Sequence, residues 1–517
     1  MTRRWPPLVL IAALVVGALV VGRGGGTDGA AARATDPTTL LPVGPPADAL
    51  GSAWFCAGQS AGDDTIADGT VVVANLGDET ARGTLEVVTG DDDRESQALE
   101  VAAHTTERVR LAEVVEADWV AARVELDRGD VVVEHEVVGP QGRDVAPCQT
   151  RSGDRWYFPA GGSTRDARLL LAVYNPSPDA AVVDMAFATE EGVREPTAFQ
   201  GMPVAAGSLV VVDVAAVVTV REVISSTVTT RRGRVVVDRI QTYDGRGASA
   251  SEEEAAEETY RRKGLTITPG VPQPRPAWSF PGGVRSAGVH ERVVVYNPGD
   301  ELAEVEIQVD LDQPERNGVL DPFPLTVAAG EFAVFDLDEA DAVPDGVRHS
   351  LTVRSTNGVR VVAERSIDAA GDATYRGVAT STGSPVAARQ WAFAAGRRPV
   401  EEESERVIVV NPGDRAVTVR VVAFGDGERA EVAVEGGTIR LEPGARREVV
   451  LDDVLTDERT SIQIVASGPV VAERRLIAQP TAAGDEEEEG GDAEEEPGVG
   501  ASVALGIPFG STIVLFD

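Results

Sequence analysis

The chain has 517 residues, a formal net charge of −37, 43% hydrophobic residues and only 5% aromatic residues. Its length predicts about three to five domains, and its apolar content excludes a wholly disordered chain. Its acidity argues against binding to nucleic-acid phosphates and against docking on an anionic membrane through basic residues.

The N-terminus has the features of an export signal. Arg3 and Arg4 precede an apolar run from Leu8 to Val21, so the positive-inside rule places the rest of the chain outside the cytoplasm. The run is short for a spanning helix, but the one small-x-small cleavage sequence, Ala32-Arg33-Ala34, lies far beyond it. We therefore predict an uncleaved signal-anchor helix over 8–22, with a cleaved signal peptide and secretion as the alternative.

An aromatic motif recurs along the chain with a mean period of about 112 residues, which indicates four copies of one domain. In its full form it reads W-x-F-P-[AG]-G. The copies are Trp54-Phe55-Cys56-Ala57-Gly58, Trp156-Tyr157-Phe158-Pro159-Ala160-Gly161, Trp278-Ser279-Phe280-Pro281-Gly282 and Trp391-Ala392-Phe393-Ala394-Ala395-Gly396.

A turn motif follows each aromatic motif, after an apolar strand. Asn, then Pro, then Gly or Ser is turn chemistry, because Pro presets φ at the second position and Gly tolerates positive φ. The turns are Asn75-Leu76-Gly77, Asn175-Pro176-Ser177, Asn297-Pro298-Gly299 and Asn411-Pro412-Gly413.

Apolar residues alternate after each turn, as in Val305, Ile307 and Val309, which is typical of a strand buried on one face. The third copy contains about seven such strands and no convincing long helix. We therefore predict an all-β chain: a tandem array of four immunoglobulin-like β-sandwiches behind one N-terminal hydrophobic helix. A four-bladed propeller fits this period poorly, because a blade is normally about 40–50 residues.

The predicted organisation follows from the repeats and from composition. A basic cytoplasmic end and the anchor precede a tether rich in Gly, Ala, Thr and Pro, and two acidic runs form solvated loops. The boundaries are 1–7 for the cytoplasmic end, 8–22 for the helix, 23–51 for the flexible tether, 52–150 for sandwich 1, 151–274 for sandwich 2 with an acidic insertion at 251–263, 275–388 for sandwich 3, and 389–517 for sandwich 4 with an acidic loop at 485–498.

The two cysteines, Cys56 and Cys148, both fall in the first repeat. In an exported chain, two such cysteines indicate a disulfide. Cys148 lies eight residues before Trp156, where Gly270 and Gly383 precede the next motifs, and Gly506 repeats this segment near the C-terminus. We therefore predict that this segment closes the preceding sandwich, with the two Cα atoms about 4.4–6.8 Å apart.

No residue set indicates a metal or cofactor site. The four histidines are scattered, and the acidic runs lack the ligand order of a calcium loop. His135, between Glu134 and Glu136, has no second histidine at useful spacing. We interpret it as part of a solvated strand face rather than as a metal ligand or base.

Two sequence features allow sharper hypotheses about function. The sequence from Gly58 to Gly62 matches the G-x-S-x-G elbow of serine hydrolases around Ser60, but the elbow needs a helix after it and a strand is predicted there. The four motif tryptophans could form a sugar-stacking surface, yet their position at a strand start in every repeat favours the sandwich core.

The W-x-F-P-[AG]-G opening and the V-x-N-P-[GS] turn, behind an N-terminal hydrophobic segment, resemble a family of uncharacterised actinobacterial cell-envelope proteins with a domain of unknown function. The first repeat departs from the pattern, with Cys56 for Phe and Leu76 for Pro. The resemblance implies lineage and location and supplies no catalytic residues.

We therefore expect a non-enzymatic, membrane-tethered, extracytoplasmic scaffold or interaction protein of the cell envelope. We expect no catalytic, cofactor or metal residues, no cofactor and no nucleic acid. The partner would be an unknown envelope protein or a wall glycan. A cell-wall polysaccharide-binding protein is the alternative function, and a serine hydrolase using Ser60 is the second.

Overall fold

The computed structural model describes residues 36–249, 251, 261–312, 320–371, 373, 375–395, 403–432, 438–452, 460–478 and 498–516. These residues form an all-β structure, and every helix among them is a 3₁₀ helix of three residues. Within the described ranges no helix has the length and apolarity needed to cross a membrane. The helix predicted over 8–22 lies outside the described residues.

The first repeat consists of two antiparallel four-stranded sheets. Their strand orders are β4-β3-β6-β1 and β5-β2-β7-β8, and one parallel pair, Ser60 with Asp68, connects them. The strands are β1 Ser52–Ala61, β2 Asp68–Asn75, β3 Ala81–Thr89, β4 Arg94–Val101, β5 Thr106–Arg110, β6 Ala117–Leu126, β7 Val131–Gly139 and β8 Gly142–Pro147.

The second and third repeats have the same strand order as the first. In the second, the fourth strand is divided into two short pieces, β12 and β13. The strands are β9 Arg155–Phe158, β10 Ala167–Tyr174, β11 Ala181–Thr189, β12 Gly192–Arg194, β13 Met202–Val204, β14 Leu209–Asp213, β15 Ser225–Arg232, β16 Val236–Asp244, β17 Lys263–Pro269, β18 Ala277–Val284, β19 Val289–Tyr296, β20 Ala303–Leu311, β21 Phe323–Val327, β22 Phe332–Asp336, β23 Arg348–Ser355, β24 Val362–Ala369 and β25 Tyr375–Thr382.

The fourth repeat keeps this pairing, with the sixth and seventh strands joined as β32 and an added strand, β35, beside β26. It begins at Val386, three residues before the predicted boundary at 389. The strands are β26 Val386–Phe393, β27 Glu403–Val410, β28 Val417–Gly425, β29 Glu428–Glu431, β30 Ile439–Leu441, β31 Arg446–Val450, β32 Ser461–Ala478, β33 Gly498–Val499, β34 Ala501–Leu505 and β35 Ile507–Leu515. The 3₁₀ helices are Pro37–Thr39, Leu111–Glu113, Thr197–Phe199 and Leu337–Glu339.

The motif tryptophans lie in the sandwich cores, as predicted. Each is on the first strand of its repeat and is at most 2% exposed. The indole N–H of Trp156 donates to the carbonyl oxygen of Val235 at 2.9 Å, and the same bond joins Trp278 to Val361. In repeats 2 and 3, a large apolar ring with a satisfied polar end therefore links the first strand to the residue before the seventh.

The motif asparagines are structural turn residues. All four are fully buried, and in the third repeat the Asn297 side-chain amide donates to the carbonyl oxygens of Glu301 and Val327 while its Oδ1 accepts from the Gly299 N–H. Each of the other three asparagines makes an equivalent set of bonds. The buried side chain fixes the turn that joins the second and third strands.

The predicted closing segment is confirmed. After the eighth strand of repeat 1, Gln149 pairs with Phe55 on β1, and Val271, Ser384 and Ile507 take the same place in the later repeats. A disulfide joins Cys56 to Cys148 with the Cα atoms 4.7 Å apart. It links the first strand of repeat 1 to the segment that follows its last strand.

The four repeats close on themselves. Their eighth strands, β8, β17, β25 and β34, contact one another in that order, and β34 returns to contact β8. The sequence predicted a tandem array and left the relative orientation of the repeats open. The contact between the last repeat and the first makes the array a ring.

Residues 37–50 are part of this ring, so the prediction of a flexible tether over 23–51 does not hold for them. Leu40 is 2% exposed in the core of repeat 4, and the Gly44 N–H donates to the carbonyl oxygen of Pro508 at 2.9 Å. The composition of the segment concealed the apolar Leu40 and Val43, which are both buried. Of the two acidic loops, most residues lie outside the described ranges, and Lys263 already begins β17.

Replacing Asn297 by Ala is expected to lower the free energy of unfolding by about 2–3 kcal/mol, because it leaves buried backbone groups without partners. Chemical denaturation with intact disulfide would measure the loss. The neighbouring exposed residue Asp300 supplies the control, since Asp300→Ala should change stability by less than about 0.5 kcal/mol. Equal effects of the two substitutions would contradict the structural role of Asn297.

Replacing both cysteines by Ala is expected to destabilise repeat 1 by about 2–5 kcal/mol, because the bond closes a loop with a sequence separation of 92 residues and restricts the unfolded chain. Proteolysis under native conditions would show whether cleavage starts within residues 52–150. Initial cleavage in another repeat would count against this assignment.

Candidate functional site: the interfaces between repeats

A charged dipeptide recurs on the seventh strand of every repeat. It ends the pattern Val-Val-[Val/Ala]-[Asp/Glu]-[Arg/His], and because side chains alternate along a strand, its two members point to opposite faces of their sheet. The four pairs are Glu134-His135 on β7, Asp238-Arg239 on β16, Glu364-Arg365 on β24 and Glu473-Arg474 on β32. All eight side chains are almost completely buried.

The interface between repeats 2 and 3 shows how the dipeptides act. The Arg239 guanidinium of repeat 2 makes a two-pronged ion pair with Glu364 of repeat 3, with one N–O distance of 3.0 Å. The same guanidinium donates to the carbonyl oxygen of Ala160 and to the Thr268 hydroxyl. The Ala160 N–H in turn donates to Glu364 at 3.1 Å. Both charges are therefore removed from water with their hydrogen bonds supplied by the adjoining repeats.

The next two interfaces repeat this arrangement. Arg365 pairs with Glu473 at 2.8 Å between repeats 3 and 4 and donates to the carbonyl oxygen of Gly282. Arg474 pairs with Glu134 at 3.1 Å between repeats 4 and 1. There the Ala395 N–H donates to Glu134 at 2.7 Å. The last of these contacts closes the ring.

The interface between repeats 1 and 2 differs in both charged positions. His135 takes the place of Arg, Asp238 takes the place of Glu, and His135 Nε2 lies 4.0 Å from Asp238 Oδ2. The backbone contact is retained, since the Ala57 N–H donates to Asp238 at 2.9 Å. Burial lowers the pKa of His135 to about 3 and raises the pKa of Asp238 well above its ordinary value, so burial favours the uncharged form of each group.

The opening aromatic motif owes its small residues to these interfaces. At Gly58, a Cβ atom would lie 3.0 Å from the Ile240 side chain of repeat 2, and φ is +77°. At Gly282, a Cβ atom would lie 2.9 Å from Ile408 of repeat 4. The motif thus has two parts: its aromatic residue fills the core of one sandwich, and its small residues let the next repeat approach.

A further buried pair extends the interface between repeats 3 and 4. His349 lies 3.1 Å from Glu291, and Glu291 lies 3.6 Å from Arg365. Although burial alone would raise it, the pKa of Glu291 is held below its ordinary value by His349 and Arg365. These groups are enclosed, so we assign them to the charge balance of the interface.

The residues singled out in the sequence are not gathered into one site. Ser60 is buried within β1, and its hydroxyl accepts from the Ala67 N–H at 3.1 Å. Strand β2 follows it, so the strand-to-helix elbow of a serine hydrolase is not formed. The interpretation of His135 as solvent-exposed is wrong, because the second repeat covers that position and leaves it 0% exposed.

Among the described residues no three His, Cys, Asp or Glu side chains are grouped so as to hold a metal ion. A cavity of about 340 Å³ lies between repeats 2 and 3, lined by side chains of both charges including Arg262, Arg292, Glu222 and Asp336. The Arg262 guanidinium lies over the Tyr243 ring at 4.3 Å from its centroid. The lining therefore carries both positive and negative charge.

The sequence contains a signal for the interfaces that periodicity alone did not reveal. The charged dipeptide follows an apolar triplet in all four repeats, at 131–135, 235–239, 361–365 and 470–474. Alignment of the repeats on their tryptophans brings these stretches together. A charge pair at a fixed place after a continuous apolar run is unexpected on a solvated strand.

Replacing Glu364 by Ala is expected to destabilise the protein by about 3–5 kcal/mol, because it leaves the Arg239 guanidinium buried without its anion. Thermal and denaturant unfolding would measure the effect. The exposed pair Arg82–Glu100 provides a control, and Glu100→Ala should cost less than about 1 kcal/mol. A comparably small effect at Glu364 would refute the assignment of this pair to the interface.

Comparisons with known proteins leave the function open. A family model described as a family of unknown function (DUF5719) matches residues 134–375, from Glu134 on β7 to Tyr375 on β25. A search of curated proteins finds no match. The structure of Thermotoga maritima 1070 is 21% identical, with 22% of this chain and 95% of that chain covered and a TM-score of 0.20. The sensory rhodopsin transducer of Anabaena is 24% identical, with 18% and 94% covered and a TM-score of 0.16. Such low TM-scores support no argument, and the family match identifies residues 134–375 as an uncharacterised domain.

Proposed function

We propose that this protein is a non-enzymatic scaffold of the cell envelope, in which a ring of four immunoglobulin-like sandwiches is held outside the cytoplasm. The observation that carries the proposal is the series of buried contacts between repeats. Three Arg–carboxylate pairs fix neighbouring repeats against each other. A body with fixed relative positions of four similar domains is suited to holding partners in a defined arrangement.

The assignment of each repeat as immunoglobulin-like is part of this proposal. It is supported by two face-to-face antiparallel sheets in every repeat, by a buried Trp between them and by the disulfide of repeat 1. Each repeat has eight strand positions, whereas the sequence predicts about seven strands. The additional position is that of the eighth strand, which precedes the closing segment. Sandwiches of this class commonly act as interaction modules.

The proposed location has two sources of support. The arginines before the hydrophobic run orient the chain outward by the positive-inside rule, and the disulfide is a bond that persists in oxidising compartments. We propose a single-pass protein anchored by residues 8–22, with secretion as the alternative. The partner would be an envelope protein.

The alternative functions lose the features on which they depended. A wall-polysaccharide site was to use exposed motif tryptophans, but these are at most 2% exposed. A hydrolase was to use Ser60, which is enclosed in a strand. The scaffold hypothesis relies instead on the contacts between repeats.

Crosslinking in native membranes is expected to capture one or more envelope proteins with the full chain. The variant Glu364→Gln keeps the shape of the side chain but removes its charge, so it should loosen the ring and reduce capture several-fold while the protein remains in the membrane. Glu100→Gln on the exposed pair is the matched control and should leave capture unchanged. Equal capture by all three proteins would contradict a role for the assembled ring.

The location is tested separately by protease treatment of intact cells and by thiol labelling. We expect the region after residue 36 to be digested from outside, and Cys56 and Cys148 to react with an alkylating reagent only after reduction. Protection until cell lysis, together with free thiols, would contradict the extracytoplasmic location.

A further inference from the structure

At one of the four interfaces, His takes the place of Arg in the recurring dipeptide. Arginine side chains are permanently charged in proteins, and Arg239, Arg365 and Arg474 each face a carboxylate of the next repeat. His135 and Asp238 form the corresponding pair between repeats 1 and 2, with a 4.0 Å separation in place of the 2.8–3.1 Å of well-formed pairs. Within the described part of the chain, neither ring nitrogen of His135 nor Oδ1 of Asp238 has a hydrogen-bond partner.

We propose that the interface between repeats 1 and 2 is a pH-sensitive junction that closes in mildly acidic surroundings and loosens as the pH rises. At the other three interfaces the corresponding pair contains Arg instead of His, and arginine side chains keep their charge over this range.

The direction follows from counting protons on His135 and Asp238. In the closed interface the pair holds one proton, because burial raises the pKa of Asp238 and lowers the pKa of His135 to about 3. In an open, hydrated interface, the two groups return to ordinary pKa values of 3.8 and 6.5. The open pair then holds one proton between these values and none above 6.5. The contribution of this pair to closure is thus independent of pH between 3.8 and 6.5, and it weakens above 6.5 until Asp238 ionises.

Asp144 contributes with the same sign. It lies on β8, on the same face of the sheet as His135, since Val137 pairs with Asp144 and His135 with Ala146. Its carboxylate accepts from the Ile267 N–H of repeat 2 and from the Ser502 hydroxyl of repeat 4. Burial raises its pKa from 3.8 to about 7. The stabilisation that Asp144 gives to the closed interface is therefore complete below pH 3.8 and is lost as the pH rises through 7.

The remaining charged groups near His135 are already balanced. On the opposite face of β7, Glu134 pairs with Arg474, and Glu136 pairs with Arg108 and Arg143. Arg239, next to Asp238, is turned towards Glu364. The residues of β1 and β2 nearest to this face, Gln59 and Val71, carry no charge.

The Ala57 amide is a direct reporter of this junction, because its N–H donates to Asp238 across the interface. Ala160 and Ala395 make the matching bonds to Glu364 and Glu134 at two of the Arg-containing interfaces. The test is hydrogen–deuterium exchange of the full chain in detergent, read by mass spectrometry and corrected for intrinsic exchange. Above pH 6.5, the equilibrium constant for opening of the Ala57 segment should rise by up to about tenfold per pH unit. The Ala160 segment, at the interface between repeats 2 and 3 that Asp144 does not join, should show no comparable trend.

Substitutions give opposite and diagnostic trends. In the double variant D144N/D238N the closed interface holds no proton at these positions while the open His135 still binds one below 6.5, so the interface should now loosen on acidification. The double substitution H135R/D238E should abolish the dependence of this pair, and R365H/E473D should introduce the alkaline loosening between repeats 3 and 4. Asp144→Asn measures the separate contribution of that carboxyl group.

A flat profile for the Ala57 segment in the unaltered protein would overturn the proposal. So would alkaline loosening that the double variant D144N/D238N retains in full, since no other titrating group would then be assigned to the junction. If H135R/D238E does not fold, the reversed trend of D144N/D238N still decides the outcome. None of these readouts depends on a partner, so failure of the proposed scaffold function would leave this test intact.

Discussion

The ring depends on carboxylates that are buried in one repeat and neutralised from the preceding one. A buried carboxylate is tolerated only when a cation and hydrogen-bond donors surround it. Glu364 receives both, a guanidinium from Arg239 and a backbone N–H from Ala160. An isolated repeat would expose half of such a set, and a wrongly docked repeat would bury a charge without its partner. The pairs therefore specify which surfaces meet, whatever their net contribution to stability.

The repeated residues divide into two classes with different physical roles. The tryptophans and turn asparagines satisfy contacts inside a sandwich, so they would be needed even in an open string of domains. The charged dipeptides and the small residues after each tryptophan satisfy contacts between sandwiches. Both classes meet in the aromatic motif, where Trp156 fills a core and Ala160, four residues later, reaches Glu364. Folding of the first strand thus prepares the surface that the next repeat recognises.

Features encoded locally could be predicted from the sequence, and those produced by docking could not. Alternation and turn chemistry predicted strands, core tryptophans and the closing segment, because each depends on residues close in the chain or on a repeated spacing. Ring closure depends on the angle between repeats, which no local pattern specifies. His135 shows the consequence: Glu134, His135 and Glu136 form a polar strand segment by composition, yet neighbouring repeats cover it. Leu40 was missed for a related reason, since its binding surface belongs to repeat 4.

The exceptional features of repeat 1 are concentrated at one place in the ring. Cys56 precedes Ala57, whose N–H donates to Asp238, and the disulfide ties this part of β1 to the end of the same sandwich. At the interface where the guanidinium is replaced by His135, the first strand is thus held covalently. Loosening of this junction would separate repeat 1 from repeat 2 while the disulfide retains β1 in its own sandwich. If the junction between repeats 1 and 2 titrates as proposed, the ring changes its internal spacing there while the covalently secured strand keeps its domain folded.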